Sequence, residues 1–262
     1  MRFDEIVALN GVSFELHAGD SRVVLGAAGS GKTTLLKAAI GLIRPDSGKI
    51  YLFGQEITGL KESQLFHIRA GVGVLFQEGG LFDSVTVEEN VAYPLLNRTQ
   101  NPETLAEAEP RVKEALRFVE LEQTLEQYPS ELSGGMRRRV GIARAVVSEP
   151  PLVLYDSPTA GLDPITANTI MALIAKERDS KNTANLIVTQ RYQDGQLMAN
   201  FRYNRNSGHL EPVSSNGGGN GSNPTRTIFM VMKDGRVVFE GSQHELEASQ
   251  DDYVQKFVPK LS

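Results

Sequence analysis

Apolar residues in this chain gather in short continuous runs separated by longer stretches with helical spacing. Continuous apolar runs at residues 21–25, 71–77, 151–156 and 184–190 predict strands covered on both faces, as in a largely parallel sheet flanked by helices. Residues 12–16 and 49–53 alternate more openly and predict an antiparallel companion sheet. Between residues 83 and 149 strand signals fade and helical periodicity takes over, which predicts a helical subdomain set into the α/β core. Residues 228–232 and 236–240 flank Lys233-Asp234-Gly235, a hairpin-turn signal, and Ser242 with Glu245 predicts a capped final helix. Residues 214–224 (SSNGGGNGSNP) are too rich in Gly, Asn and Ser to bury a core and predict a mobile insertion loop. The organisation expected is a single domain: core and β subdomain from residues 1–82 and 150–262, helical subdomain from 83–149.

The first apolar run leads into GAAGSGKT: Gly26, Ala27, Ala28, Gly29, Ser30, Gly31, Lys32 and Thr33, followed by Thr34 and a helix-like run. Strand, glycine-rich loop and helix in that order form an anion nest, because backbone N–H groups converge at a helix N-terminus. The pattern predicts phosphate binding, with Lys32 reaching the β- and γ-phosphates of ATP and the Thr33 hydroxyl on Mg²⁺.

Composition changes this picture little. The chain has 262 residues, 40% of them hydrophobic and 23% charged, with a net charge of −5, so nothing calls for a nucleic acid partner. There is no cysteine, which excludes thiolate chemistry and disulfides. No apolar run is long enough to span a bilayer, so the sequence reads as a cytoplasmic protein that reaches a membrane only through a partner.

Four further motifs follow in order. GVGVLFQ ends at Gln77, LSGGM contains Ser133, Gly134 and Gly135, PLVLYD ends at Asp156, and AGLD ends at Asp163. With the phosphate loop they resemble the ATP-binding subunit of ABC transporters over nearly the whole chain. The resemblance implies a P-loop NTPase core with an antiparallel β subdomain and an inserted helical subdomain. It further implies ATP and Mg²⁺ as cofactors, and as partners transmembrane permease subunits and a second ABC ATPase subunit. By resemblance, Phe3 stacks on adenine, Gln77 touches Mg²⁺ and the lytic water, and Asp156 holds Mg²⁺. Ser133 and Gly135 then cap the γ-phosphate of ATP held by the opposite subunit, and Asp163 lies at the dimer seam. Arg137, Arg138 and Arg139 read as a solvated or interfacial helix face rather than a nucleic-acid patch. The stretch FQEGGLFDSVTVEENVAYPL is similar to the ATPases of Mce-type (Mla-like) lipid transporters, and related amino-acid importers share part of it.

The chain departs from the family pattern at three places. Ser157 stands where glutamate is usual, Gln190 where the strand usually ends in histidine, and Met1 falls almost on the adenine-stacking position, where a first strand would normally precede it. His17, His67, His209 and His244 lie elsewhere in the chain and do not replace that histidine. A positioned general base contributes roughly 10²- to 10⁴-fold, about 3 to 5.5 kcal/mol of barrier. A serine hydroxyl can orient a water but is too weak a base to take its proton. Tight MgATP binding with slow hydrolysis is therefore expected, in a homodimer or beside a competent partner. A soluble ATP switch outside transport is the alternative.

Overall fold

In the computed structural model, which describes residues 1–3, 6–98, 101–213 and 226–259, the apolar runs become one central sheet. The chain opens with β1 (Arg2–Phe3), β2 (Ile6–Val7) and β3 (Ser21–Leu25), then helix α1 (Lys32–Ala39). Short β4 (Tyr51–Leu52) and β5 (Gln55–Glu56) precede α2 (Glu62–Arg69) and β6 (Val72–Leu75). Three helices follow: α3 (Val87–Leu96), α4 (Leu105–Phe118) and α5 (Gly134–Val146). The chain returns to the sheet with β7 (Leu152–Asp156), α6 (Pro164–Lys181), β8 (Ala184–Thr189) and α7 (Tyr192–Asn200). After the hairpin β9 (Phe201–Asn204) and β10 (His209–Pro212) come β11 (Thr227–Lys233), β12 (Arg236–Gly241) and α8 (Gln243–Glu247).

The central sheet runs β12-β11-β3-β8-β7-β6, with β11, β3, β8, β7 and β6 parallel and β12 antiparallel at the edge. Its strands are apolar on both faces because both are covered. Val23 and Leu25 enter the core shared with α5, α6 and α7, while Val24 enters the core shared with α1 and α2. The first core continues into α3 and α4 through Val91, Leu95, Val112 and Leu116, so the helical segment is packed onto the sheet rather than hung from it. Loops carrying the candidate motifs leave the carboxyl ends of β3, β6, β7 and β8, where open α/β sheets collect ligands.

Several expectations need correction. Among the described residues, the antiparallel companion sheet is reduced to two separate two-residue ladders, β1–β2 and β4–β5. Residues 12–16 form no strand. Their alternation is nonetheless physical: Val12, Phe14 and Leu16 pack against the α1 side core. The Glu15 carbonyl accepts from Arg22 Nε (2.9 Å) instead of a neighbouring strand. The strand expected over residues 71–77, β6, stops at Leu75, and Gln77 opens a 3₁₀ turn (Gln77–Gly79) rather than ending the ladder. The C-terminal hairpin forms where expected, with Asp234 (φ 48°) and Gly235 (φ 74°) both left-handed, but it also extends the central sheet through β11. The Ser242–Glu245 capping box is present in both directions (3.3 and 2.7 Å). The loop expected at 214–224 lies outside the described residues.

Gly195 marks a close approach that the pattern alone did not announce. A Cβ there would sit 2.3 Å from Cε1 of the fully buried Phe229 and 3.0 Å from Val23. Gly195→Ala should therefore lower unfolding free energy by about 1–3 kcal/mol, the usual range for overpacking. Urea midpoints of the two proteins check this; an unchanged midpoint would contradict the tight α7–sheet packing.

Candidate nucleotide-binding site

The phosphate loop curls because two of its glycines occupy left-handed backbone, Gly29 at φ 76° and Gly31 at φ 101°. Neighbouring chain presses on it closely: a Cβ on Gly31 would meet the Ala8 carbonyl at 2.4 Å, and one on Gly26 the Met232 carbonyl at 2.6 Å. Gly235 in the β11–β12 turn donates its N–H to the Ser30 carbonyl (3.2 Å). The C-terminal hairpin thus backs the loop. Tyr253 adds to it, its Oη accepting from Ala27 N (3.4 Å) and donating to the Met232 carbonyl (3.2 Å).

Lys32 is buried, and its ammonium donates to the carbonyls of Gly26 (2.8 Å) and Ala27 (2.7 Å) and to Ser30 Oγ (3.3 Å). Burial pulls its pKa below the usual lysine value, and the nearby Asp156 carboxylate partly offsets this. Thr33 Oγ1 donates to Asp156 Oδ2 at 3.0 Å. Asp156 ends β7 and is buried, so this hydroxyl–carboxylate pair offers the hard oxygen donors that Mg²⁺ takes. Among the described residues no group of three His, Cys, Asp or Glu side chains could hold a metal. The donor set therefore fits a cation that fills its remaining positions with phosphate oxygens and water. A small recess beside the pair is lined by Thr33, Leu36, Phe76, Leu154 and Asp156.

Ser157 follows at φ 51°, a left-handed conformation uncommon for a non-glycine residue. Its Oγ donates to Asp156 Oδ1 (3.1 Å), and its N–H bonds the Val188 carbonyl (2.9 Å). Gln190 is exposed just past the end of β8. Gln77 is exposed in its 3₁₀ turn, and the next glycines are gripped from α5, with Arg144 Nη2 donating to the carbonyls of Gly79 (3.0 Å) and Gly80 (2.8 Å). Ser133 caps α5, its Oγ accepting from Met136 N (3.2 Å), and Ser133 and Gly134 are exposed at that helix N-terminus. Asp163 caps α6 in the same way, accepting from Ile165 N and Thr166 N (both 3.0 Å). Phe3 lies in β1, but the placement of its side chain falls outside the described part of the structure.

A profile of the family described as "ABC transporter" matches residues 9–160. The chain belongs to the ABC transporter family. Similar ABC relatives include the methionine import ATP-binding protein MetN of Corynebacterium jeikeium, 36% identical over 92% of this chain and 58% of that protein. The intermembrane phospholipid transport system ATP-binding protein MlaF of Haemophilus influenzae is 31% identical over 98% of this chain and 86% of its own. The chain spans little more than half the length of the MetN relatives it matches. Among solved structures, the dimeric post-hydrolysis ATP-binding cassette MJ0796 bound to ADP and Pi superposes with a TM-score of 0.76, at 28% identity, over 92% of this chain and 94% of that one. The fold is that of a P-loop ABC cassette. No helix among the described residues is long and apolar enough to cross a membrane.

Several residues at this ABC site were not singled out by the sequence. Asp194 is buried in α7 and accepts from Thr189 Oγ1 (2.6 Å) and Thr159 Oγ1 (2.7 Å), tying the loop after Asp156 to the end of β8. Asn90 Oδ1 accepts from Phe82 N (2.8 Å), and its Nδ2 donates to the carbonyls of Phe82 and Thr86 (both 3.0 Å), strapping the segment before α3. Within the arginine run expected to be a solvated or interfacial face, Arg137 and Arg139 are half-buried, but Arg138 is only 4% exposed and turns inward.

Burial raises the pKa of Asp194 above 3.8, against the lowering effect of its threonine donors and of Arg191. The folded state then holds this proton more tightly than the unfolded chain. Its stabilising contribution is complete below pH 3.8 and is lost as pH rises through the folded value. Asn can accept the same two bonds without ionising. The stability of Asp194→Asn relative to the unsubstituted protein should therefore climb with pH above 3.8 and then level off, as read from denaturant midpoints across pH. A flat difference would show that Asp194 is ionised alike in both states.

Proposed function

We propose that this chain binds MgATP and powers a membrane transporter as its ATP-binding subunit, turning ATP over slowly at its own site. The observation that carries this reading is the meeting of Lys32, Thr33 and Asp156, with Ser157 bonded back to Asp156 in place of a base. Backbone N–H groups of the glycine loop and the Lys32 ammonium would take the phosphates, Lys32 exchanging its carbonyl partners for phosphate oxygens. Thr33 and Asp156 would hold magnesium, which when bound neutralises charge on the transferring phosphate. Gln77, Gln190 and the hydroxyl of Ser157 are the groups left to orient a water; none of them is a base at neutral pH.

In a dimer the Ser133–Gly135 turn, an exposed helix N-terminus, would face the γ-phosphate held by the opposite subunit. That turn is unaffected by Ser157, so this chain can complete a competent site in a partner that carries glutamate. The transmembrane permease would hold the assembly at the inner face of the membrane. For the cargo we favour lipid: the relative named for intermembrane phospholipid transport matches 98% of this chain and 86% of its own length, whereas the methionine import relatives match over about half of theirs.

Ser157→Glu should raise the steady-state rate of phosphate release at saturating MgATP by about 10²-fold, the lower end of what a positioned base contributes. The KM for MgATP should stay within a few-fold, and adding Gln190→His should raise the rate further. An unsubstituted chain already hydrolysing at the rate of its Ser157→Glu variant would refute the slow-site reading. Vesicles holding the chain with its permease, supplied in parallel with phospholipid and methionine, separate the two cargoes.

A further inference from the structure

Arg138 lies one turn into α5, between the Ser133–Gly135 turn and the sheet. Its guanidinium reaches backbone: Nη1 donates to the carbonyls of Ser157 (3.1 Å) and Pro158 (2.7 Å), and Nη2 to that of Ala160 (3.0 Å). Three carbonyls of one four-residue loop are thus held by a single planar fork. Ser157 is half-buried and Ala160 exposed, whereas Pro158 between them is buried, so the fork runs from the surface of the loop to its inside. Beside this grip, α5 and α6 meet without slack: a Cβ on Gly135 would lie 2.7 Å from Thr166 Cγ2, and Thr166 N is bonded by Asp163. On its far side the same loop is held through Thr159 by Asp194.

We propose that Arg138 is a positioning residue that joins the Ser133–Gly135 turn to the segment running from Ser157 to Asp163, so that the two move as one body. The idea rests on the dimer reading above. A phosphate of the opposite subunit that pulls on the N-terminus of α5 then displaces the backbone of Ser157 and the exposed Ala160–Asp163 edge at this chain's own site. The coupling runs through carbonyls, so it survives whatever side chain stands at position 157. Arginine is required because a lysine ammonium is a point donor and cannot span three carbonyls in one plane.

The test compares the full chain with Arg138→Lys and Arg138→Met, each checked for its thermal midpoint. Binding of a fluorescent ATP analogue with Mg²⁺ reads the phosphate loop alone. ATP-driven subunit association by sedimentation, and hydrogen exchange at residues 157–163, read the coupling. In both variants analogue affinity should stay within about threefold, while half-maximal association needs roughly tenfold more ATP and the ATP-induced protection of 157–163 is lost. Arg138→Lys keeps the charge and most of the bulk, so it supplies the answer should Arg138→Met fail to fold. Association and protection equal to the unsubstituted chain in a folded variant would overturn the coupling role and leave the dimer reading standing. An unsubstituted chain that binds the analogue yet never associates on ATP, by itself or with a second ABC ATPase, would overturn both.

Discussion

Asp156 is a carboxylate placed almost out of water at the end of a fully buried strand, and a buried charge persists only where its surroundings compensate it. The compensation here is specific: Thr33 donates to one oxygen, Ser157 to the other, and the buried ammonium of Lys32 lies close enough for the two charges to influence each other. A glutamate at position 157 would add a second negative charge beside Asp156 and offer no donor. Serine does the reverse, making the carboxylate more comfortable at the expense of the base. Serine at position 157 therefore pairs with the buried carboxylate in a way that glutamate could not, from a residue in left-handed backbone.

The loops around Asp156 are held by a repeated device. Buried guanidinium groups reach main-chain carbonyls: Arg138 those of the loop after β7, Arg144 those of the glycines after Gln77, and Arg178, itself paired with Asp179, those of Met198 (2.7 Å) and Phe201 (3.0 Å) at the end of α7 and the start of β9. Each bond supplies a main-chain acceptor with a side-chain donor, and each fixes a segment to a helix without fixing its sequence. Asp194 supplies the complementary arrangement, one carboxyl oxygen accepting from a threonine of the loop after β7 and from the threonine that ends β8. The result is a rim in which the candidate motifs are loops by secondary structure but are bound to helices by charge-assisted bonds.

Much of this was legible in advance where the signal is local. The glycine loop, the buried strand ending in Asp156 and the Asp-Gly turn depend on residues adjacent in the chain, and each formed within a residue or two of its expected place. The failures share a cause. Residues 12–16 alternate correctly but found a side chain, Arg22, instead of a partner strand, and a ladder needs a partner. The arginine run read as a solvated or interfacial face because charge on a helix is usually at the surface, yet Arg138 faced a loop twenty residues away in sequence. Tyr253 reached the phosphate loop across 226 residues of chain, a separation at which no periodicity carries information.

The sequence by itself determined the fold class, the order of the motifs and the identity of the residue after Asp156, because these follow from spacing, side-chain chemistry and backbone preference. Only the tertiary structure decided which polar groups are buried together: that Ser157 donates to Asp156, that Arg138 joins α5 to the loop after β7, and that the C-terminal hairpin backs the phosphate loop. The physical reason is that hydrogen bonds and burial act between neighbours in space. A chain lists its donors and acceptors in order, but only packing selects which of them meet.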